Sequence, residues 1–549
     1  MNRILSFFRK YGFCRALYGV SSYFFRRIRM KGEARRLRAL PPEAFEIPRD
    51  EDAPLFYREK AGDVERIAAG ERKLLFYEKD DPLARSDTKY PWELHRCHEL
   101  FALAASDSEE AKTLLCKALE GGESLRLYEG ECSMEVSIRA ISVAEALRRA
   151  PAEAERRLGA AFLKEALLFV LEHSEAGVAY QSNHYFFGLL GLSWVMALLP
   201  RHPLIGTYQK RNLRRLGALL RGTVESDGSF YECSTHYHQY VSRSLLEYLY
   251  FVPQGRTPLL LEKAAEMLAF SQGHAVDGRL VGVGDNDSGR VLPLPNYFSY
   301  DSASLEVSLS LAKELPLPEV TLGAERFGLY LFSRDGIDAA FRCDPIPDPH
   351  RNAAIGGHSH NDQLSLQLWV GGVPFFVDRG TYLYVKEDGA RRDNLRTDRH
   401  NTLSLDAREQ NELPEWFDYT PRRARGRELS RTDCGITAEH TGFLPYLHRR
   451  TLALSEGEVL VSDEWTSTDA STPPPGTLHF LLHPSVSVER VEKGLILTHR
   501  GERVLFSVEG EIAVEERFVS EEYGKKQKTL CLSVPILGKE TKTIRIKRL

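Results

Sequence analysis

Two hydrophobic rhythms divide the chain. From about residue 41 to 315, segments such as LGAAFLKEALLFVLEHS (158–174), NHYFFGLLGLSWVMALLP (183–200) and YVSRSLLEYLYFVP (240–253) repeat apolar residues every three or four positions over helical lengths. Short Gly, Pro, Asp or Ser punctuation separates them. After Leu322 the rhythm becomes alternation. FGLYLFSRDGIDAAFRC, HNDQLSLQLWV, VPFFVDRG, HNTLSLD, GEVLVSDEWT, GTLHFLLHP, GLILTHR, ERVLFSVEG and KTIRIKRL are short period-two runs divided by turns, the pattern of an antiparallel sandwich. Many helices followed by many strands predict an α+β chain with a helical domain over 41–315 and a β-sandwich over 316–549. A cleft between the two is the default site.

Residues 1–40 stand apart from both. Basic residues from Arg3 to Arg38 meet a single acid, Glu33, with aromatics from Phe7 to Phe25 interleaved, and no apolar run reaches signal-peptide or transmembrane length. This predicts a basic, aromatic helical arm, solvated and packed on the next domain. Peripheral membrane or polyanion contact is the alternative.

Composition narrows the class. A chain of 549 residues, 42% hydrophobic and 27% charged, can bury one or two large cores. Its net charge of -4 argues against bulk nucleic-acid binding, which needs a strong basic excess or patch. The eight cysteines lack C-x-x-C pairing. They fit buried free thiols in a reducing compartment better than a disulfide framework or a zinc ribbon.

The richest chemistry lies in GGHSHNDQLSLQLWVGGVPFFVDRGTYLY, Gly356 to Tyr384. If HSHND opens a strand, its period of two points His358, His360 and Asp362 to one face, and the GGVP turn folds a second strand, ending on Asp378, back beside it. His400 follows in RTDRHNTLSLD, after Arg396 and Arg399 and before an alternating run from Thr402 to Asp406. Two imidazoles and a carboxylate from separate strands, His360, Asp378 and His400, suit a divalent metal with a fourth position open, or an acid/base site next to one.

The helical half has its own polar cluster. Asn183 and His184, preceded by Gln181 and Ser182, open the most apolar helix, where capping alone accounts for Asn or Ser equally well. SDGSFYECSTHYHQY gathers Asp227, Glu232, His236, Tyr237, His238 and Tyr240, with Tyr240 the natural core residue among them. The loop GVGDNDSGR, Gly282 to Arg290, could bind calcium or phosphate but lacks the spacing of an EF-hand or phosphate loop. An architectural role is the expectation.

SNHYFFGLLG, DGSFYECSTHYHQY, GDNDSGR, the hairpin and RTDRHNTLSLD, in this order, resemble the heparinase II/III-like superfamily of polysaccharide lyases, which includes heparinase, oligoalginate lyase and broad glycosaminoglycan lyases. The motifs span roughly residues 85 to 410; the later strands agree in texture only. The resemblance implies an incomplete (α/α) toroid followed by an antiparallel β-sandwich, and cleavage of uronic-acid-containing glycans by β-elimination to 4,5-unsaturated uronyl ends. Elimination removes the weakly acidic C5 proton of a uronate, so the adjacent carboxylate must be neutralised by donors while a base takes that proton and an acid protonates the departing oxygen. Asn183, with His184 beside it, matches the family's carboxylate-neutralising position, Tyr237 its catalytic tyrosine and His358 its catalytic histidine. His360, Asp378 and His400 match the holders of a structural zinc, a site manganese could also occupy, with Asp362 orienting the ligands from outside. Trp92, Arg139, His238, Tyr382, Tyr384, Arg396 and Arg399 fall where substrate-contacting side chains are expected, and Glu93 is a further cleft candidate.

The expected partner is an anionic polysaccharide or oligosaccharide: heparan sulfate, hyaluronan, chondroitin sulfate or alginate. Many relatives carry a cleaved leader and none is visible here, which favours the cytoplasm or an export route without a recognisable signal. Two alternatives remain open at this point. One is a metal-dependent glycan hydrolase in which the His/His/Asp cluster activates water; the other is a non-catalytic glycan-binding or assembly protein.

Overall fold

The computed structural model describes residues 13–50, 52–70, 86–87, 89–122, 125–128, 130–150, 153–177, 182–345, 358–385, 388–406, 408–414, 424–469 and 471–549. The first twelve residues of the arm, Gln181, Gly356 and Gly357 lie outside them. Among the described residues no helix is long and apolar enough to cross a membrane.

The arm is a helix, Phe13–Arg38. It buries Met30, Ala34 and Leu37 against the Glu153–Glu172 helix, and Glu33 is paired with Arg215 at 2.8 Å. Phe24, Phe25 and Ile28 stay exposed.

Helices continue through Glu306–Lys313. Asn183–Leu198 is apolar on every side and therefore buried on every side, between Ser133–Leu147 and Pro203–Thr223. Its Trp194 keeps a polar partner inside: Nε1 donates to Glu145 at 2.7 Å.

Apart from a two-stranded ribbon, Ala275–Val276 with Arg279–Leu280, the strands begin at Leu329. One four-stranded sheet runs in chain order, Leu329–Arg334, Ile337–Arg342, Leu366–Val370 and Val373–Phe376. An eight-stranded sheet holds Gly426–Thr432, Gly435–His440, Tyr446–Ser455 and Glu458–Ser467 on one side, and a second four-stranded sheet includes Gly476–Leu481 and Leu403–Ser404. Every strand pairing is antiparallel. Alternation does what the sequence predicts in Glu458–Ser467, where Val459, Val461 and Trp465 face the core. Each such side chain contributes roughly 1.5–3 kcal/mol by leaving water.

Within the hairpin, the Gly371–Gly372 turn has φ of 59° and 74° at its two central positions, the conformation of a tight two-residue connection, and pairs Val370 with Val373. The strand before it is shorter than the alternation suggests. It starts only at Leu366, because Leu364 takes φ of 60° and Ser365 N donates to Asp362 O, turning the chain. His358, His360 and Asp362 therefore sit in an irregular approach to the strand, not on one strand face. Asp378 likewise lies past the end of Val373–Phe376, and His400 follows a short 3-10 turn, Thr397–Arg399. Arg450, fully buried and paired with Asp463, donates to Leu364 O at 2.7 Å and Asn401 O at 2.6 Å, fixing both segments to the sheet behind.

Candidate active site

Tyr237 lies in the first turn of the Thr235–Phe251 helix. Ser234 caps that turn by accepting from Tyr237 N at 3.1 Å, and its hydroxyl donates onward to Asp285 O at 2.6 Å. The cap thus ties the tyrosine to the loop Gly282 to Arg290. That loop is buried under the β half, with Asn286 N donating to Thr381 Oγ1 at 3.0 Å and Asn286 Nδ2 to Glu521 O at 3.0 Å.

Asp285 is the hub of the site. His358 Nδ1 lies 3.1 Å from one carboxylate oxygen and His360 Nε2 lies 3.0 Å from the other, while Arg391 donates to the first at 3.1 Å. Burial alone would raise the carboxyl, but Arg391 and the two imidazoles hold it well below the usual carboxylate range. Gly284, at φ of 75°, lets this loop approach: a Cβ there would stand 2.5 Å from His358 O.

Held through Nδ1, His358 turns its ring onto Tyr237 and its Nε2 toward Glu232, 4.0 Å away. The Tyr237 hydroxyl meets that of Tyr384 at 3.3 Å. Burial, with Asp287 nearby, pushes the Tyr237 hydroxyl well above its ordinary range, so it keeps its proton at neutral pH.

Asn183 donates from its backbone N and its Nδ2 to the two oxygens of Glu232, at 2.9 and 2.7 Å, and its side-chain oxygen is buried without a hydrogen-bond partner. Asn183, Glu232, His358, Tyr237 and Tyr384 therefore form one continuous line across the two halves. His184 points elsewhere: Nδ1 pairs with Glu175 at 2.9 Å.

His360, Asp378 and His400 can hold a metal ion, since a ligand atom from each lies within 4.8 Å of the others. His400 Nδ1 sits 2.7 Å from Asp378 Oδ2, and His400 Nε2 is buried with no hydrogen-bond partner of good geometry. Burial opposes both charges, yet each holds the other, Asp378 below the carboxylate range and His400 above the imidazole range. Two nitrogens and one oxygen fit a divalent ion. Asp362 lies 3.7 Å from Arg342 and is close enough to His400 to favour its charge.

Several expected substrate contacts are placed otherwise. His238 is fully buried, accepting from Phe230 N at 3.0 Å and lying 3.0 Å from both Met267 O and Ser271 Oγ, so it is a core residue and not a cleft residue. Arg139 is also fully buried, in a bidentate pair with Glu131 at 2.6 and 2.8 Å, and Glu93 is buried against Arg96; neither lines the cleft. Arg396 spends its fork on Asp398, and Arg399 on Asp393 and Asp398, which leaves both already neutralised. Tyr382 packs with Tyr300, Tyr384 and Tyr523, under the Lys526 ammonium at 4.6 Å. Trp92 is half-buried on the short helix Lys89–His95, whose Lys89 pairs with Asp287 at 3.3 Å.

Sequence reasoning gave no role to Asp285, Glu232, Arg391, Asp287 or Lys89. The available signals were the polar cluster that holds Glu232 and, for Asp285 and Asp287, the density of acids in GVGDNDSGR, too polar for a loop unless it is solvated or serves other residues. A cavity of about 440 Å³ lined by His236, Gln367, Asp378, His483 and His499 contains neither His358 nor Tyr237.

Residues 321–547 match the family model Heparinase II/III-like, C-terminal. No curated protein sequence matches significantly. Among solved structures, a heparinase III superimposes with TM-score 0.64 at 14% identity, covering 94% of this chain and 88% of that one. A second heparinase III gives 0.60 at 15%, covering 95% and 88%, and the heparan sulfate lyase HepC from Pedobacter heparinus gives 0.53 at 17%, covering 98% and 91%. Residues 321–547 are thus similar to the Heparinase II/III-like C-terminal family, and the chain as a whole has the helical-toroid and β-sandwich fold of the heparinase III structures.

Proposed function

We propose that the chain is a polysaccharide lyase that cleaves uronic-acid-containing glycans by β-elimination. The observation that carries this reading is the contact of Tyr237 with His358, a protonated phenol and an imidazole at one point between the two halves, with Asn183 and Glu232 next in line. Tyr237, kept protonated by burial, is suited to deliver a proton to the departing glycosidic oxygen. His358, aligned through Nδ1 by Asp285, presents Nε2 as the base for C5. Asn183, oriented by Glu232, is the donor beside the uronate carboxylate.

A metal held by His360, Asp378 and His400 would brace the hairpin, with zinc the best match to the donor set and manganese an alternative. When bound, it supplies fixed positive charge behind His358. His360 and His400 are each 1% exposed, which suits a bracing ion better than one activating water for hydrolysis.

The candidate substrates are heparan sulfate, hyaluronan, chondroitin sulfate and alginate, the polymers on which elimination leaves a chromophoric 4,5-unsaturated uronate. The test is ultraviolet absorbance on this panel, with His358→Ala as control. A wild-type protein that cleaves these polymers without absorbance gain would make the reaction a hydrolysis, and binding without cleavage would make the chain a glycan-binding protein.

A further inference from the structure

A second group of ligand side chains lies in the helical half, away from the hairpin. Cys132 stands at the start of Ser133–Leu147, Glu175 lies in the connection after Glu153–Glu172, and His184 is in the first turn of Asn183–Leu198. Three segments bring a sulfur, an oxygen and a nitrogen within 4.8 Å of one another.

The surroundings orient these atoms. Ser133 Oγ donates to Glu175 Oε2 at 2.8 Å and Met134 N to the same oxygen at 3.4 Å, which leaves Oε1 for His184 Nδ1 at 2.9 Å. An ion pair accounts for Glu175 and His184 alone. Cys132 makes no capping bond to its own helix and instead turns its thiol to His184, completing a sulfur, oxygen and nitrogen set at one point. The His184 and Glu175 side chains are 34% and 31% exposed, so an ion could enter from solvent and keep a water in a remaining position.

We propose that Cys132, Glu175 and His184 form a second metal site, selective for a thiophilic divalent cation of the zinc type. Sulfur separates it from the His360, Asp378 and His400 group, which offers only nitrogen and oxygen. Ligation here does not depend on the lyase reading, although the neighbouring Asn183 puts the ion at the edge of the cleft.

Cobalt(II) added to the full-length, chelator-treated protein tests this. The expected result is a sulfur-to-cobalt charge-transfer band that Cys132→Ser abolishes and His400→Ala retains. On the wild-type protein, cobalt is expected to slow alkylation of Cys132 at least several-fold, read by peptide mass spectrometry, whether or not the serine variant folds. A band unchanged in folded Cys132→Ser, or equal alkylation of Cys132 with and without cobalt, overturns the proposal.

Discussion

The His358 imidazole lies on the Tyr237 ring, centroids 3.7 Å apart and planes 17° from parallel. One ring comes from the β half and the other from a helix, so the two rings are registered only when the halves are docked. Tyr237→Phe keeps the stacking face and deletes the hydroxyl. Turnover on the responsive uronate polymer is expected to fall by about 10²–10⁴, while the unfolding midpoint stays close to wild type. Full activity in this variant would remove Tyr237 from proton transfer.

Asp285→Asn preserves shape and removes the charge that His358, His360 and Arg391 share. Breaking a buried pair of this kind costs about 3–5 kcal/mol, so stability and activity should drop together. Denaturant unfolding alongside the absorbance assay checks this; a variant of wild-type stability would show that the carboxylate is not the hub.

His238→Ala separates the core from the cleft. Removing an imidazole bonded to Phe230, Met267 and Ser271 leaves buried groups unsatisfied, at about 1–3 kcal/mol. The folded fraction should keep its turnover number. A selective loss of kcat without destabilisation would return His238 to the substrate site.

His274 gives a pH dependence with a defined sign. Its two ring nitrogens lie 2.8 Å from Phe270 O and 2.9 Å from Leu329 O, and carbonyls only accept, so both nitrogens must carry protons. Burial works against that charge, and Glu325 with the two carbonyls raises the imidazole above its ordinary value of 6.5. Its contribution is therefore complete below about pH 6.5 and is lost as pH rises through the higher folded value. Melting temperature should decline over that alkaline window in the wild type and decline less in His274→Gln; parallel curves would exclude this joint.

Metal removal is the fifth test. If an ion occupies His360, Asp378 and His400 at a hundredfold excess over its Kd, chelation should cost about 2.7 kcal/mol of stability. His400→Ala should lose this part of the chelator effect and keep at most what the Cys132, Glu175 and His184 group contributes. Identical chelator shifts in both proteins would place the effect elsewhere.

The two rhythms of the chain made the architecture readable because burial on one helix stripe or one strand face leaves a period in the sequence. Asn183, Tyr237 and His358 were readable from motifs. Asp285 was not, because a buried acid in a loop looks like a solvated one until its partners, more than seventy residues away along the chain, are in place. Arg139 and His238 failed in the opposite direction: polar residues near a motif looked like cleft residues, and only packing reveals that their charge or hydrogen bonds are consumed inside. The assumption that HSHND continues its strand failed at Leu364, whose left-handed backbone no alternation pattern announces.

The loop from Gly282 to Arg290 belongs to the helical half, yet the side-chain partners of its Asp285, namely His358, His360, Thr381 and Arg391, all belong to the other. Exchanging either half for that of a distant relative would bring an unmatched carboxylate or unmatched imidazoles to the joint. The two halves are constrained to be inherited as a pair, and a chimera would report their mismatch first as a misplaced His358.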